Sequence, residues 1–290
     1  MLIVNPRAGG GRAARVLPEY RDLLTAAGHD VTEAFTRDID HATDLAAQAV
    51  AEDRVACAVG GDGLVGRVAG AVADLGGLLA VLPGGRGNDF ARALQIPSDP
   101  QGAVLALAGA HERALDLGDV DGRAFACIAS VGFDSVVQEF ALRTRLPLGS
   151  HVYTVGALGA VARWKHASFH IDADGESSTL RGWAVAAANT GVYGGGMRLA
   201  PDADPADGLL DLVTTSATGR VRFLRSFPKV FDGSHVHQPE VQVRRAATVR
   251  IDAERPFRVF ADGDPIGELP CTVSVRPGAL RVLVPEVTQS

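Results

Sequence analysis

The sequence predicts an α/β domain followed by a β-rich antiparallel domain, and three observations lead to that fold class. In the first 118 residues, short apolar runs alternate with stretches of helical spacing, as in a parallel sheet with helices on both faces. Beyond residue 118, apolar runs alternate with turn signals such as Asp207-Gly208, which indicates an antiparallel sandwich or barrel. Glycine-rich loops follow two of the early runs, at the strand ends where α/β proteins bind ligands.

Periodicity assigns the elements of the first half. Continuous apolar runs such as 55–59 fit strands that are covered on both faces. Apolar residues three and four positions apart, as in 41–51, indicate helices. The predicted strands are 2–4, 31–35, 55–59 and 78–82, and the predicted helices are 12–27, 41–51, 64–75 and 88–94.

A shift in composition near residues 118–121 separates the two halves, so the domains are predicted at 1–118 and 119–279. The second half consists mainly of short apolar runs that are bounded by turn residues. Its predicted strands are 125–129, 168–173, 182–189, 209–214, 241–243, 248–252, 257–261, 272–275 and 280–284, and its predicted helices are 135–144 and 153–166.

Composition limits the function. Hydrophobic residues make up 47% of the chain and charged residues 21%, as in an ordinary folded protein. The net charge of −6 argues against nucleic acid as a partner, because binding a phosphate backbone needs a basic surface. The three cysteines lie far apart with no CxxC pair, which predicts core thiols rather than a metal site or disulfides.

The amino-terminal residues predict the location of the protein. The chain opens with a strand-like run rather than a signal peptide, and no apolar run approaches the ~18 residues of a membrane span. We therefore expect a cytoplasmic protein whose contact with a membrane, if any, is peripheral.

Two glycine loops are the strongest functional signal. Gly60-Gly61-Asp62-Gly63 and Gly84-Gly85-Arg86-Gly87-Asn88-Asp89 each follow an apolar run. Bare backbone N–H groups at such a sheet edge bind phosphates, Asp62 adds an oxygen ligand suited to Mg²⁺, and Arg86 adds positive charge. The alternatives are a tight turn with Asp62 as the helix N-cap, and a cap by Asn88 or Asp89 in the second loop.

A third glycine-rich loop, from Asn5 to Gly11, lies between the first strand and the first helix. It offers backbone amides and a helix N-terminus to a phosphate, although an ordinary turn explains it equally well. It is not a Walker A loop, because no Gly-Lys-Ser/Thr follows.

Two acidic clusters in the second half also have two interpretations. Asp202, Asp204, Asp207 and Asp211 form either a solvated hairpin loop or a divalent-metal loop. Asp262-Gly263-Asp264 is typical of a hairpin turn, and the alternative makes Asp264 a general base for a hydroxyl group.

Taken together and in this order, the motifs resemble the bacterial lipid kinases related to diacylglycerol kinase and sphingosine kinase and, more distantly, NAD kinase. The likeness extends from Leu2 to Val284. The stretches that carry it are Val4-Asn5-Pro6, Gly60–Gly63, 87–92, 115–118, Gly132-Phe133-Asp134, 189–196, 200–212 and Asp262-Gly263-Asp264.

The resemblance implies a nucleotide domain and a lipid-binding domain with the active site between them, and the last residues, 280–290, are candidates to return to the first domain. ATP would lie across the glycine loops, with Thr36 as a further contact. The residues matched to nucleotide binding are Asn5, Pro6, Arg7, Ala8, Gly9, Thr36, Gly60, Gly61, Asp62, Gly63, Leu64, Val65, Gly66, Arg86 and Asn88.

The resemblance also implies two magnesium sites and a base. Asp62, Asp89 and Asp116 match an acidic network that holds the catalytic Mg²⁺ through water. In the 200–212 loop, Asp207 would bind a structural Mg²⁺ by its carboxylate, and Asp204 and Leu209 by their carbonyls. Asp264 would accept the proton of the lipid hydroxyl as that oxygen attacks the γ-phosphate, so the implied cofactors are ATP and Mg²⁺.

The chain departs from the family pattern at the nucleotide loops. Leu64, Gly66 and Arg67 stand where the family usually has a threonine and an Asn-Glu pair, and Arg86 stands where it has threonine. The carboxylates are retained, and the two arginines can neutralise phosphate charge. The primary hypothesis is an ATP- and Mg²⁺-dependent lipid kinase that acts on a diacylglycerol-like lipid. The alternatives are a nucleotide- or lipid-binding protein without transferase activity and an NAD kinase.

A lipid substrate requires access to a bilayer. The segment 140–162 contains apolar residues interrupted by Arg143 and Arg145, and it is a candidate for peripheral membrane contact. Buried packing between the domains explains the same pattern. The expected partners are a nucleotide and a lipid, and a homodimer is among the assemblies that the resemblance admits.

Overall fold

The computed structural model describes residues 1–143, 159–162 and 164–286. Its amino-terminal half alternates strands and helices, as the apolar runs predict. The elements are β1 (Leu2–Val4), α1 (Ala8–Ala26), β2 (Glu33–Phe35), α2 (Ile39–Ala51), β3 (Ala56–Gly60), α3 (Asp62–Asp74), β4 (Leu78–Pro83), α4 (Asp89–Ala93) and α5 (Pro100–Ala108).

The first four strands form a parallel sheet in the order β2-β1-β3-β4. All five residues of β3 are buried, because helices cover the sheet. The sequence assigns each of these strands within two residues. It does not predict α5, in which Asp99 accepts a hydrogen bond from the Gly102 amide as the N-cap (2.7 Å).

The carboxyl-terminal half is an antiparallel β-rich domain. Strands β7, β9, β8 and β12 are adjacent, and β9 also pairs with β10. The elements are β5 (His111–Val120), β6 (Arg123–Phe125), β7 (Ile128–Gly132), α6 (Phe133–Arg143), β8 (Ala167–Ala173), β9 (Glu176–Ala188), β10 (Leu210–Ser216), α7 (Arg220–Ser226), β11 (Val241–Ala246), β12 (Thr248–Ala253), β13 (Arg258–Ala261), β14 (Asp264–Glu268) and β15 (Cys271–Val284).

The long strand β15 joins the two halves. Its beginning pairs with β12, and its end pairs in parallel with β4 of the first sheet. The sequence predicts two strands here, 272–275 and 280–284, and this prediction is wrong. The chain pairs with β5 on both sides of a register shift between Arg276 and Leu280, so the Pro-Gly pair at 277–278 makes a bulge rather than a turn.

Other differences also have identifiable causes. The predicted strand 125–129 is interrupted because the Asp262 carboxylate, rather than a neighbouring strand, accepts the Ala126 and Cys127 amides (2.7 and 2.9 Å). Strands β5, β6 and β14 and helix α7 are not predicted as such, because they are polar or half-exposed. The predicted helix 135–144 is found as α6. Most of the predicted helix 153–166 lies outside the described residues.

Two hydrophobic clusters stabilise the two halves. In the second cluster, the ring of Phe133 lies edge-on to both Trp164 and Trp183. Cys57, Cys127 and Cys271 are buried free thiols, as predicted. None of the helices among the described residues is long and apolar enough to cross a bilayer.

Candidate active site

The three glycine loops meet at one edge of the parallel sheet. A Cβ on Gly9 would lie 2.9 Å from the Gly84 carbonyl oxygen, and one on Gly61 would lie 3.3 Å from the Gly85 Cα. Backbone therefore packs on backbone, which only glycine permits at these distances. Gly9, Gly10 and Gly11 also have positive φ angles, 59°, 68° and 87°, so α1 is regular only from Arg12 onward.

The other residues predicted to bind nucleotide lie at the same edge. The Asn5 carboxamide oxygen accepts a hydrogen bond from the Arg7 amide (3.0 Å), which shapes the first loop. Thr36 follows β2, where its amide donates to the Val4 carbonyl (2.9 Å). Leu64 and Val65 lie in the first turn of α3 with buried side chains, so they offer a ligand little beyond their backbone.

The Asn88 side chain has a structural partner. Its oxygen accepts a hydrogen bond from the Gly85 amide (2.7 Å), and its nitrogen donates to the Gly85 carbonyl (3.3 Å). Asn88 itself adopts the left-handed conformation, with φ 53°, and makes no side-chain cap to α4. The interpretation of Asn88 as a helix cap is therefore wrong, because the side chain closes its own loop instead.

Asp62 and Asp89 are brought together at the centre of this edge. A Cβ on Gly87 would lie 2.8 Å from Asp62 Oδ2 and 3.0 Å from Asp89 Oδ2. Burial and the neighbouring Asp89 carboxylate raise the pKa of Asp62 from 3.8 to about 6. Asp62 is not the N-cap of α3; its Oδ1 accepts a hydrogen bond from the Phe90 amide (3.1 Å).

A loop of the β-rich domain closes over this pair. The Gly195 amide donates to both Asp89 oxygens, Oδ1 at 3.0 Å and Oδ2 at 2.9 Å. Burial raises the pKa of Asp89, and the hydrogen bond from Gly195 lowers it. Nearby, the Tyr193 hydroxyl donates to Asp134 Oδ2 (2.8 Å), which anchors the loop on α6. The two domains therefore meet at a carboxylate.

Asp264 reaches the same place from the β13–β14 hairpin. Its carboxylate lies against Gly63, at the position that a Cβ on Gly63 would occupy. Asp264 is exposed at the mouth of the cleft, yet nearby protein atoms desolvate its carboxylate and raise its pKa, while the positive charge of Arg67 lowers it. The predicted base therefore contacts Gly63, the residue that directly follows Asp62 in the sequence.

Asp262 is a further carboxylate beside the glycine loops, and the sequence assigns it only to a hairpin turn. Its carboxylate accepts the amides of residues 126–128, and burial raises its pKa to about 7. A Cβ on Gly66 would lie 2.5 Å from Asp262 Oδ2, so the glycine that departs from the family pattern makes room for it. Asp262 and Gly263 have φ angles of 52° and 88°, as the predicted hairpin turn requires. No sequence signal reveals these contacts, because the partners are over 130 positions away.

The Asp116 carboxylate is held by two backbone amides. Its Oδ2 accepts the Gly208 amide (2.7 Å) and its Oδ1 the Gly278 amide (2.6 Å). These two bonds fasten the 200–212 loop and the bulge of β15 to β5. Both carboxylate oxygens therefore have backbone donors, and membership of Asp116 in the acidic network stays a prediction.

The 200–212 loop brings Asp204, Asp207 and Leu209 together. The Asp207 amide donates to the Asp204 carbonyl (3.4 Å), and Asp207 Oδ1 accepts the Leu209 amide (3.0 Å). Arg245 lies 3.5 Å from Asp207 Oδ2. Within residues 1–143, 159–162 and 164–286, no group of three or more His, Cys, Asp or Glu side chains is placed to hold a metal ion.

The protein thus has a parallel α/β domain and a β-rich domain that meet at carboxylates, an arrangement that suits a phosphotransferase. Comparison with known proteins identifies the family. Residues 1–120 match the diacylglycerol kinase catalytic domain, and residues 127–284 match the YegS C-terminal NAD kinase beta sandwich-like domain. The chain is 35% identical to a diacylglycerol kinase of Mycobacterium tuberculosis, over 98% of this chain and 94% of the relative. It therefore belongs to the diacylglycerol kinase family and is a lipid kinase.

Further comparisons agree. A diacylglycerol kinase of Staphylococcus aureus is 28% identical over 93% of this chain and 87% of its own length. A crystal structure of a candidate diacylglycerol kinase from Bacillus anthracis superposes with a TM-score of 0.80 at 25% identity, covering 98% of this chain and 96% of that one. The predicted α/β and antiparallel domains and the family resemblance are confirmed.

Proposed function

We propose that the protein transfers the γ-phosphate of ATP, with Mg²⁺, to a hydroxyl group of a diacylglycerol-like lipid. The observation that carries the proposal is the contact between the Asp264 carboxylate and Gly63. It brings a carboxylate from the β-rich domain against the glycine loops of the nucleotide domain, and we take this carboxylate as the base because the two substrates of a kinase have to meet there.

The loop edge suits the phosphates of a nucleotide. The glycines of the three loops expose backbone amides that no side chain covers. Arg86 is exposed beside them, and its Nη2 lies 3.8 Å from the position that a Cβ on Gly10 would occupy. Unobstructed amides and a guanidinium are the groups that hold phosphate oxygens. We assign the nucleotide to this edge, with the adenosine toward Thr36.

Asp62 and Asp89 suit a magnesium ion. Mg²⁺ prefers oxygen ligands, and two desolvated carboxylates that face one another gain from a cation between them. When bound, Mg²⁺ supplies neutralisation of the phosphate charge. In the 200–212 loop, the Asp207 carboxylate and the carbonyls of Asp204 and Leu209 are ligands of the same type, which supports a second, structural ion there.

The chemical step follows from the position of Asp264. As the lipid hydroxyl oxygen forms its bond to the γ-phosphorus, the bond to the bridging oxygen of ADP breaks, and Asp264 takes the hydroxyl proton. Its raised pKa makes it a better proton acceptor than an aspartate whose carboxylate is fully solvated. The Gly195 amide holds Asp89 in a buried position, where the attraction between this carboxylate and a cation is stronger than in water.

Three observations support a lipid as the acceptor: family membership, the names of the relatives as diacylglycerol kinases, and the β-rich domain that closes the cleft. We propose a glycerol-backbone lipid with one free hydroxyl. Such a substrate lies in a bilayer, so the protein would act as a peripheral enzyme at a membrane surface.

Label transfer from γ-labelled ATP to neutral lipids in mixed micelles tests the proposal. Wild type should label a diacylglycerol, and Asp264→Asn should lose about 100- to 10,000-fold of the activity, because an amide cannot accept the proton. Glu268→Gln is the matched control. It lies on the same hairpin and pairs only at the surface with Arg258 (3.8 Å), so its activity should be unchanged.

NAD serves as a second acceptor in the same assay. Label in NAD rather than in a lipid would overturn the choice of acceptor. ATP binding in calorimetry without transfer to any acceptor would favour a binding protein without transferase activity. The departures from the family pattern at Leu64 and Arg86 would then explain the missing activity. Equal activity in Asp264→Asn and wild type would remove Asp264 as the base.

A further inference from the structure

A short helical segment of the β-rich domain presents an apolar stripe to solvent. It consists of α7 and the 3₁₀ turn Phe227–Val230, followed by Phe231, and is called here the 220–231 segment. Val221, Leu224 and Phe231 are 64%, 41% and 54% exposed. Val221 and Leu224 are three positions apart and lie on one face of α7, and Phe231 directly follows the 3₁₀ turn. Large exposed apolar residues that are concentrated in one short segment mark an interaction surface.

The other face of the segment is fixed to the protein, so the stripe cannot turn inward. Phe223 stacks on Trp183 with ring centroids 3.8 Å apart and an interplanar angle of 10°. The Arg222 guanidinium donates two hydrogen bonds to the Glu240 carboxylate, at 3.1 and 2.8 Å. The stripe is therefore a built feature of the folded domain.

The segment is basic in an acidic protein. It contains four cations, Arg220, Arg222, Arg225 and Lys229, and no carboxylate, whereas the chain has a net charge of −6. Among the described residues, Arg225 and Lys229 make no ion pair with a carboxylate. Asp232 follows the segment, but its carboxylate accepts the amide and hydroxyl of Ser234 (2.9 and 2.6 Å).

The segment adjoins the rim of the active site. The Arg198 amide donates to the Val230 carbonyl (2.8 Å), and the His235 ring nitrogen Nε2 lies 3.1 Å from the Leu199 carbonyl oxygen. Arg198 is three residues beyond Gly195, whose amide binds Asp89, and three residues span at most about 10 Å. A ligand or partner that binds the 220–231 segment would therefore lie beside the cleft.

We propose that the 220–231 segment is a membrane-docking surface that inserts Val221, Leu224 and Phe231 into an anionic bilayer, with Arg225 and Lys229 on the lipid headgroups. Apolar side chains flanked by unpaired cations are the composition of interfacial helices. The inference rests on the proposed function, since a lipid acceptor lies in a bilayer. A second copy of the chain is a poorer occupant, because two such faces would bring like charges together.

Vesicle sedimentation tests the surface without any measurement of catalysis. Vesicles of phosphatidylcholine and phosphatidylglycerol (about 7:3) should bind wild type, and the double variant Arg225→Gln/Lys229→Gln should bind about 30-fold more weakly, at roughly fivefold for each cation. Leu224→Ser should also weaken binding, because it removes an inserted side chain. Pure phosphatidylcholine should bind wild type weakly.

Two matched controls lie away from the segment. Leu105 on α5 is 74% exposed, and Arg250 on β12 is an exposed arginine. Leu105→Ser and Arg250→Gln should bind as wild type does. Equal binding of all variants would overturn the proposal. So would a dimer in analytical ultracentrifugation that Leu224→Ser dissociates while leaving vesicle binding unchanged.

The docking surface and the proposed function fail in different ways. A water-soluble short-chain diacylglycerol requires no docking, so the docking variants should phosphorylate it as fast as wild type does. If wild type binds anionic vesicles through this segment but labels no lipid, the surface stands and the kinase proposal falls. If wild type labels the lipid and the variants bind vesicles normally, the kinase stands and this surface falls.

Discussion

The Asp62–Asp89 pair and Asp116 are all buried or half-buried, but their carboxylates have different neighbours. Asp62 and Asp89 face one another in the cleft, and burial raises the pKa of both. Asp116 is 2% exposed, yet each of its carboxylate oxygens accepts a backbone amide at 2.6–2.7 Å. Hydrogen bonds to the charged form offset desolvation, whereas a second carboxylate adds to its cost.

We propose that this difference separates functional from structural aspartates. Two carboxylates that are held close together destabilise the fold even when backbone amides donate to them, as those of Phe90 and Gly195 do here, and proteins retain such pairs where a ligand supplies the missing charge. Asp89 shares the Gly195 amide between its two oxygens, whereas Asp116 has a separate backbone donor for each oxygen and therefore less capacity left for a ligand. On this reasoning, the Asp62–Asp89 pair belongs to catalysis, and Asp116 holds the 200–212 loop and the β15 bulge in place.

The largest effect is expected for Asp62→Asn, which should lower kcat by about 1,000-fold through the loss of a charge that organises the phosphates. The same change should stabilise the metal-free protein. The pKa of Asp62 rises from 3.8 to about 6 on folding, so its ionisation costs stability increasingly as pH rises from about 4 to about 6, and the full cost is present above that range. At pH 8 the variant should gain about 2–3 kcal/mol in free energy of unfolding, and at pH 5 about half as much.

Urea unfolding in EDTA at pH 8 and pH 5, together with the label-transfer assay, measures both effects. A variant that loses activity and stability together at pH 8 would contradict the interpretation of the pair as a destabilised functional site.

Asp116→Asn should have the opposite signature. One of the two amides, Gly208 or Gly278, would face the new NH₂ group instead of an acceptor. We expect a loss of about 2–3 kcal/mol in free energy of unfolding and a change in kcat of less than about threefold at 15 °C. Asp119→Asn is the control. It is half-buried on the same strand with one donor, the Gly122 amide (2.6 Å), and should cost less than about 1 kcal/mol.

Chemical denaturation and steady-state kinetics on the three proteins decide the matter. Unchanged stability with a loss of activity like that of Asp62→Asn would place Asp116 in the acidic network that the family resemblance implies.

Much of the fold was predictable because its signals are local. Continuous apolar runs such as β3 identify buried parallel strands, and the glycines after them identify the ligand edge. Polar strands such as β14 carry no such signal. The sequence predicts two strands in place of β15, because Pro277 and Gly278 are typical turn residues. The Asp116 carboxylate that binds the Gly278 amide in the bulge is 162 positions away, so no local pattern indicates it.

The site was predictable only in part. The glycine loops, Asp62, Asp89 and Asp264 are recognisable as an ordered set of motifs, and the structure brings them together. The roles of Asp262 and Gly195 depend on amides and carboxylates from distant segments, which no local pattern specifies. Asn88 fits the pattern of a cap, yet its nearest donor is Gly85 in its own loop.

The smallest effect is expected for Arg67→Gln. This change acts on Asp264, the proposed general base, rather than on the Asp62–Asp89 pair. The positive charge of Arg67 lowers the pKa of Asp264 against the effect of desolvation. Without that charge the pKa rises, more Asp264 is protonated in acid, and the acidic limb of kcat/KM moves to higher pH. On the acidic limb the activity should fall about twofold to fivefold, as for a partly exposed ion pair, with little change at pH 8. Arg67→Lys retains the charge and should keep the wild-type profile. A raised KM for ATP in Arg67→Gln at every pH, with the limb unmoved, would show instead that Arg67 acts on phosphate, and would leave the pKa of Asp264 to desolvation alone.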